Sequence, residues 1–384
     1  MMYLAAWMVW GALAVVGYVY AGYPLTLWLL SRIRHCAVRQ EMIFPSVTLI
    51  ISAFNEERSI SAKLENSLAL DYPEDLLQIL VVSDASTDET DRIVQQYGGK
   101  RVSLLRMPER RGKTVGLNAA MQRVQSEVVV FSDANILYQR DAIRRLVRNF
   151  ADPMVGCVTG NSCYSDAQPS AAHEQENAYW GYERFIRTLE SKIGSTVGGD
   201  GAIFAIRRKL YTPLLPEAIN DLVVPFQIVA RGHRAIFEPQ AIGYERSAGN
   251  FAGEFRRKRR IVNRSWRGLM SVSEVLDPRR VGLFAWQVWS HKVLRWLVLP
   301  IVSVAAVGCI IAFPLGLIYR VGTFGFIASV VIAGIGGISQ DRVGRLMGFA
   351  HGLFYFYMVN LAAFLGVVMA LFGRVEVLWT PERK

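Results

Sequence analysis

Hydropathy along the chain is divided into three parts, and that division constrains the fold before any motif is read. An apolar block runs from Leu4 to Leu30, a second apolar region from Leu283 to Phe372, and the stretch between has the polarity of a water-soluble domain. The first block matches the roughly 20 residues that a bilayer core requires. It lacks the basic start, short apolar core and small-residue cleavage site of a secretory leader, so residues 1–32 read as a retained transmembrane anchor. Arg32, Arg34, His35 and Arg39 follow at once, and basic residues mark the cytoplasmic flank of a span. The middle of the chain is therefore expected in the cytosol.

Towards the C-terminus, apolar runs near Trp296–Leu315, Phe324–Ile338 and Met347–Phe372 predict about three spans within residues 295–373. Residues 281–294 carry Trp286, Trp289, His291 and Lys292 among apolar neighbours, the pattern of an amphipathic helix lying in the interface. Three spans starting from the cytosol end outside, whereas Arg374, Arg383 and Lys384 in the short tail 374–384 favour the inside. Either one run is re-entrant or the interfacial segment crosses. With 52% hydrophobic residues and only 20% charged, the composition excludes a disordered chain. The net charge of +11 suggests basic surfaces, which beside membrane spans follow from topology and attraction to anionic lipid, so no nucleic-acid partner is expected. Cys36, Cys157, Cys163 and Cys309 are scattered without metal-site spacing and read as free thiols.

Between the membrane parts, residues 45–280 alternate short β-branched runs with helical patterns, the grammar of an α/β domain with a mostly parallel, Rossmann-like sheet. Val47–Ser52, Gln78–Ser83, Val102–Arg106 and Val128–Ser132 are predicted strands, continuous in apolar character as in a sheet covered on both faces. Ser59–Leu70, Asp88–Tyr97 and Lys113–Val124 have helical spacing. Ligands of such sheets bind beyond the carboxyl ends of the strands, and polar residues gather there: Ala53-Phe54-Asn55-Glu56-Glu57, Asp84-Ala85-Ser86-Thr87-Asp88 and Asp133-Ala134-Asn135. Each is also ordinary turn and helix-cap chemistry. Asp84 and Asp133 both follow a strand-end serine, so their carboxylates should converge on one edge, where they repel unless positive charge lies between them. A divalent cation holding a diphosphate supplies that charge. Arg110-Arg111-Gly112-Lys113, opening a helix, adds basic groups where backbone N–H groups already favour phosphate.

The ordered set Ala53-Phe54-Asn55-Glu56, Ser83-Asp84-Ala85-Ser86-Thr87-Asp88, Arg111-Gly112-Lys113, Ser132-Asp133-Ala134-Asn135, Gly199-Asp200-Gly201 and Asn220-Asp221 resembles family 2 glycosyltransferases of GT-A fold, over roughly Pro45 to Arg267. Its membrane framing resembles that of cellulose, hyaluronan and poly-N-acetylglucosamine synthases. The resemblance implies that Phe54, Asn55, Glu56 and Asp84 line a uridine pocket, that Lys113 lies near the diphosphate, and that Asp133 carries the metal side of an Asp-x-Asp motif. Asn135 stands where that motif has its second carboxylate, so Mg²⁺ or Mn²⁺ would meet an amide oxygen without charge. Asp221 takes the position of the general base that removes a proton from the acceptor hydroxyl. Gly199 and Asp200 would approach the sugar, with glycine allowing close contact.

The family's Gln-x-x-Arg-Trp motif is altered: Arg257-Lys258-Arg259-Arg260-Ile261 keeps only Arg260, which the resemblance assigns to the leaving group. Loss of the tryptophan weighs against processive synthesis, with Trp266 a candidate substitute. Trp180, Tyr182, Glu183, Phe185, Ile186 and Leu189 have helical spacing and read as packing, and His173 and His233 are given no chemistry. The expected protein is an inverting glycosyltransferase of the bacterial inner membrane with its catalytic domain in the cytoplasm. It would move a sugar from a nucleotide sugar, a UDP-sugar on the resemblance, to a glycan or lipid-linked acceptor and form β-linkages in exopolysaccharide or cell-envelope synthesis. Other subunits of an export system are possible partners. The alternative is a non-catalytic nucleotide-binding scaffold of a polysaccharide-assembly complex, for which Asn135 is the main support.

Overall fold

In the computed structural model, which describes residues 1–99, 101–164, 171–245, 251–339 and 345–375, eight strands form one sheet. They are β1 (Val47–Ala53), β2 (Leu77–Ser83), β3 (Val102–Arg106), β4 (Val128–Asp133), β5 (Leu137–Tyr138), β6 (Val155–Tyr164), β7 (Ile203–Arg207) and β8 (Arg234–Glu245). The order is β3-β2-β1-β4-β7-β6-β8-β5. The four strands expected from the sequence are the parallel half, with Ile50 facing Leu80 on one side and Phe131 on the other. Beyond β4 the pairing changes: β7 runs antiparallel to β4 and β6, while β8 is parallel to β6.

Side chains alternate between the faces of a strand, and each face of this sheet has its own core. Ile50, Leu80, Val129, Phe131 and Phe204 pack beneath helices Lys113–Met121 and Asn220–Ala230. Leu49, Ile51, Val81 and Val130 pack beneath Ile60–Leu68 and Ala142–Val147. These strand residues are almost wholly buried, which explains their unbroken apolar runs. Phe131 and Phe204 stack at 4.6 Å across the β4–β7 pair, bridging the parallel half to the antiparallel one.

Among the described residues, three helices are long and apolar enough to cross a membrane: Met2–Ile33, Leu317–Ile338 and Met347–Leu371. The first predicted C-terminal span is different. Val298–Ile311 is a short helix joined to Leu283–Trp296 at a bend of 61°. Pro300 explains the break, since it offers no N–H to the carbonyl of Trp296 and its ring clashes with that turn. The last span ends on the central domain: Gly366 packs where a Cβ would lie 2.7 Å from the Arg259 carbonyl, and Asn263 Nδ2 donates to the Arg374 carbonyl at 3.0 Å. Residues of the tail beyond Val375 lie outside the described residues.

A buried polar cluster joins the anchor to the domain. Tyr23 Oη donates to Glu190 Oε1 at 2.5 Å, His291 Nδ1 lies 2.8 Å from the same oxygen, and His291 Nε2 lies 3.2 Å from Glu183, which Arg295 also pairs. Burial would raise the pKa of both acids, but Arg295 and His291 outweigh it at Glu183, and His291 at Glu190, so both are held below the usual carboxylate range.

Candidate active site

A cavity of about 2500 Å³ opens at the carboxyl ends of β1, β2 and β4, as the sheet rule predicts. Phe54, Asn55, Glu56, Asp84, Lys113, Asp133, Asn135, Gly199, Asp200, Asp221 and Arg260 all line it, so these residues reach one space, whereas Trp266 does not line it and packs against the core and Trp296. Their detailed roles separate once contacts are read.

Several are spent on shaping the walls. Asn55 adopts a left-handed backbone (φ 52°), which asparagine tolerates, and its Oδ1 accepts the Thr87 N–H at 2.8 Å, tying the loop after β1 to the loop after β2. The Glu56 N–H donates to Thr90 Oγ1 at 2.8 Å and its carboxylate accepts from the Ser59 hydroxyl. Asp84 is buried, and its two oxygens accept the N–H groups of Arg111 (2.9 Å) and Gly112 (2.8 Å), fixing the basic loop that leads into helix Lys113–Met121. Gly112 (φ 91°) makes that entry in a conformation most residues avoid. The loop then lays the Arg110 guanidinium 3.8 Å from the centre of the Phe54 ring. Asp200 accepts N–H groups of Ser162 (3.2 Å) and Ala202 (3.1 Å), so its carboxylate ties β6 to the turn that enters β7.

The remaining groups face one another. Lys113 Nζ lies 2.6 Å from Asp133 Oδ1 and donates to the Gly201 carbonyl at 3.0 Å. Asp221 opens helix Asn220–Ala230, and its backbone carbonyl accepts the Gly199 N–H at 2.6 Å. Its Oδ1 is shielded from solvent and has no hydrogen-bond partner among the described residues. Gly201 lies close beside it: a Cβ there would sit 3.0 Å from Asp221 Oδ2 and crowd that carboxylate. Burial raises the Asp221 pKa above that of an ordinary aspartate, and Asp200 adds to the rise, while Lys113, Arg187 and Arg264 pull against it. The cap explanation fails for its side chain, since this helix has no side-chain cap bond. Asp88 is the opposite case: its carboxylate accepts from Thr90 and from the Glu57 N–H, ordinary turn chemistry.

For a divalent cation the donor set is small but serviceable. Asp133 keeps an oxygen beyond the one held by Lys113, and Asn135 donates its Nδ2 to Glu245 (3.4 Å), leaving its amide oxygen. No group of three His, Cys, Asp or Glu side chains assembles among the described residues. One carboxylate and one amide oxygen fit a hard ion whose shell is completed by phosphate oxygens and water, the habit of Mg²⁺ in phosphate sites.

Two groups of residues escaped notice in the sequence. Lys63 is fully buried under the metal-motif loop; its Nζ donates to the Ile136 carbonyl at 2.8 Å and lies over the Tyr138 ring. Burial pulls its ammonium down to about 7, against the opposing pull of Asp133. The helix read as packing is divided: Ile186 and Leu189 pack against Tyr23 and Leu27, but Trp180, Glu183 and Arg187 line the cavity. Aromatic and charged residues recurring every third or fourth position, Trp180, Glu183 and Arg187, were the available signal. His173 lies where side chains are outside the described residues, and His233 is away from the cavity.

Comparison with known proteins agrees with this arrangement. Residues 48–214 match Glycosyl transferase family 2. Over 119 residues, 30% of the chain, it is 34% identical to the beta-monoglucosyldiacylglycerol synthase of Synechocystis sp.. Over 205 residues, 51% of the chain, it is 24% identical to the poly-beta-1,6-N-acetyl-D-glucosamine synthase of Staphylococcus epidermidis. The matched parts cover 25% and 48% of those two proteins, so the chain spans between a quarter and a half of their length. Among solved structures, mannosyltransferase PcManGT from Pyrobaculum calidifontis, determined with GDP-Man and Mn²⁺, superposes with a TM-score of 0.69 over 95% of this chain and 99% of its own, at 24% identity. Cleft, sheet order and comparison converge: residues 48–214 match Glycosyl transferase family 2, and the fold is GT-A.

Proposed function

We propose that the protein is a membrane-embedded, inverting glycosyltransferase that moves a sugar from a nucleotide sugar, of the UDP class that the motifs imply, to a glycan or lipid-linked acceptor. The observation that carries this reading is Asp221, whose unpartnered, shielded carboxylate oxygen shares one cavity with Lys113 and Asp133. A carboxylate whose pKa is raised by burial is a better proton acceptor at neutral pH than a solvated one. In the proposed step Asp221 accepts the acceptor's hydroxyl proton as that oxygen forms a bond to the anomeric carbon and the bond from that carbon to the diphosphate breaks. Attack from the opposite side gives the inverted, β-linked product from an α-linked donor. Lys113 then faces the departing diphosphate, and Arg260 adds positive charge on the same cavity wall.

Asp133 and Asn135 would hold a divalent ion, whose charge, when bound, offsets that of the diphosphate. Such an ion supplements Lys113, which already neutralises Asp133. The Mn²⁺ in PcManGT and the glycan- and lipid-directed activities named for the relatives support the metal and both acceptor classes. A cytosolic domain at a bacterial inner membrane completes the reading.

The test is release of nucleoside diphosphate by the full chain in nanodiscs, supplied with UDP-glucose, UDP-N-acetylglucosamine or GDP-mannose and Mn²⁺. Turnover abolished in Asp221→Asn supports the assignment. Nucleotide binding without turnover for any donor and membrane extract would establish the scaffold alternative instead.

A further inference from the structure

The proposed transfer needs Lys113 and Asp221 in register, yet they open two separate helices, Lys113–Met121 and Asn220–Ala230, and neither helix start carries a side-chain cap. Asp84 holds the loop before Lys113, and the Gly199 N–H donates to the Asp221 carbonyl. Neither contact joins one helix to the other. The join is made by Arg264, in helix Phe251–Ser271, whose side chain also lines the cavity.

Arg264 Nη2 donates to Thr114 Oγ1 at 2.9 Å and to the Ala218 carbonyl at 2.7 Å, while its Nε donates to the Glu217 carbonyl at 3.1 Å. Thr114 closes the triangle, its hydroxyl donating to the same Ala218 carbonyl at 2.8 Å. Thr114 follows Lys113 directly, and Glu217 and Ala218 lead into Asp221, so one guanidinium ties the two helix starts together. Thr114 and Ala218 are both buried, where a lost partner is not replaced by water. The next turn repeats the grip: Arg267 pairs with Glu217 at 3.5 Å, and a Cβ on Gly268 would lie 2.5 Å from Val223 Cγ2. On its other side this helix is tied to the last span, since Asn263 Nδ2 donates to the Gly366 carbonyl at 3.3 Å. A guanidinium carries its donors at fixed angles in one plane, which lets it register two backbones where an ammonium would not. Arg264 also contributes charge: with Lys113 and Arg187 it favours ionised Asp221, against burial and Asp200.

We propose that Arg264 is a positioning residue for the transfer. Through Thr114 and the backbone of Glu217 and Ala218, it holds Lys113 and Asp221 at the separation that lets one face the diphosphate and the other the acceptor hydroxyl. This inference rests on the transferase reading. What its loss removes is alignment, and a misplacement of about 1 Å costs on the order of a hundredfold in rate.

The experiment compares the full chain in nanodiscs with Arg264→Gln, Arg264→Lys, Thr114→Val and the Thr114→Val/Arg264→Gln pair. It follows nucleoside diphosphate release from UDP-glucose, UDP-N-acetylglucosamine or GDP-mannose with Mn²⁺ across pH, together with amide hydrogen exchange. Arg264→Gln should lower kcat by about a hundredfold while donor KM changes only severalfold. Its acidic limb should move to higher pH, because a cation facing Asp221 is gone. Arg264→Lys should keep the wild-type limb yet leave kcat at least about tenfold down, since charge returns without the fork. Thr114→Val, which keeps the side-chain shape, should cost about fivefold alone and little more when added to Arg264→Gln. Exchange in residues 113–121 and 214–221 should quicken at least about tenfold in Arg264→Gln, with β1 unchanged. A kcat loss below about fivefold in Arg264→Gln, full recovery in Arg264→Lys, or additive losses in the pair each overturn the proposal. So does activity that falls only with the folded fraction while the limb stays in place, the mark of a merely structural role. If the arginine variants fail to fold, undiminished turnover in Thr114→Val overturns it alone. A wild type with no turnover for any donor refutes the transferase reading, a separate result, and unchanged exchange in Arg264→Gln would then still show that Arg264 does not hold the two segments.

Discussion

Asp221 is the residue on which chemistry and stability pull apart. Its ionised form is disfavoured by burial, so its folded-state pKa lies above the unfolded value. For an acid shifted upward, the folded chain binds the proton more readily, so ionisation costs stability at pH above the folded pKa and that cost disappears as pH falls through it. Asp221→Asn is therefore expected to lower kcat by about 10²- to 10⁴-fold while raising Tm at neutral pH by on the order of 2 °C, measured by turnover and by thermal unfolding. Because a base must be deprotonated, the wild-type rate should fall on acidification at a pH above the ordinary aspartate range, and a limb at or below that range would contradict the assignment. The sequence located Asp84, Asp133 and Asp221 well, since each ends a strand or opens a helix and such positions map to one edge of the sheet. Which way each carboxylate turns was not legible. Asp84 accepts backbone N–H groups of the distant Arg111 and Gly112, and Asp200 those of the distant Ser162 and of Ala202, pairings that only the folded chain brings together. Asp84→Ala, which frees the Arg111 and Gly112 N–H groups, should raise KM for the donor at least several-fold in a titration of initial rates, with a smaller effect on kcat.

Among elements, the helix Phe251–Ser271 is fixed by the last span. Gly366 lets the two backbones meet, and a side chain there would run into the Arg259 carbonyl, the Asn263 N–H and the Val262 Cβ. Gly366→Val should cost about 1–3 kcal/mol by overpacking and displace the basic row that lines the cavity; unfolding and turnover in the same preparation would show both effects. Parallel strands were readable because burial on both faces leaves them uniformly apolar. β6, β7 and β8 were not, for a local reason: register shifts between Val155 and Cys157 and between Thr159 and Asn161 break the period of β6, and Gly156 and Gly160 sit inside the breaks, pressed against Ile228 and Ile203. Pro300 likewise divides an apolar run that reads as one span into two helices at a bend.

At the scale of the whole molecule, the contact between Asn263 and the Arg374 carbonyl brings the end of the last span back to the central domain. An even number of crossings between domain and tail is then required, which Leu317–Ile338 and Met347–Leu371 supply if Leu283–Ile311 dips without crossing. That arrangement would reconcile the three predicted apolar runs with a basic tail. In a cysteine-free background, Arg374→Cys and Ser103→Cys are expected to react with an impermeant maleimide from the same face of sealed vesicles; labelling from opposite faces would make the bent pair a full span. The Tyr23–Glu190–His291 cluster has a practical consequence. Cutting the chain after Ile33 would strip the tyrosine hydroxyl from Glu190 and open that carboxylate's pocket to water, so a catalytic fragment without its leading helix should be poorly folded rather than merely unanchored. The greasy leading helix is a structural organ of the enzyme, and swapping it for a generic tether should inactivate the protein even in a perfectly good bilayer.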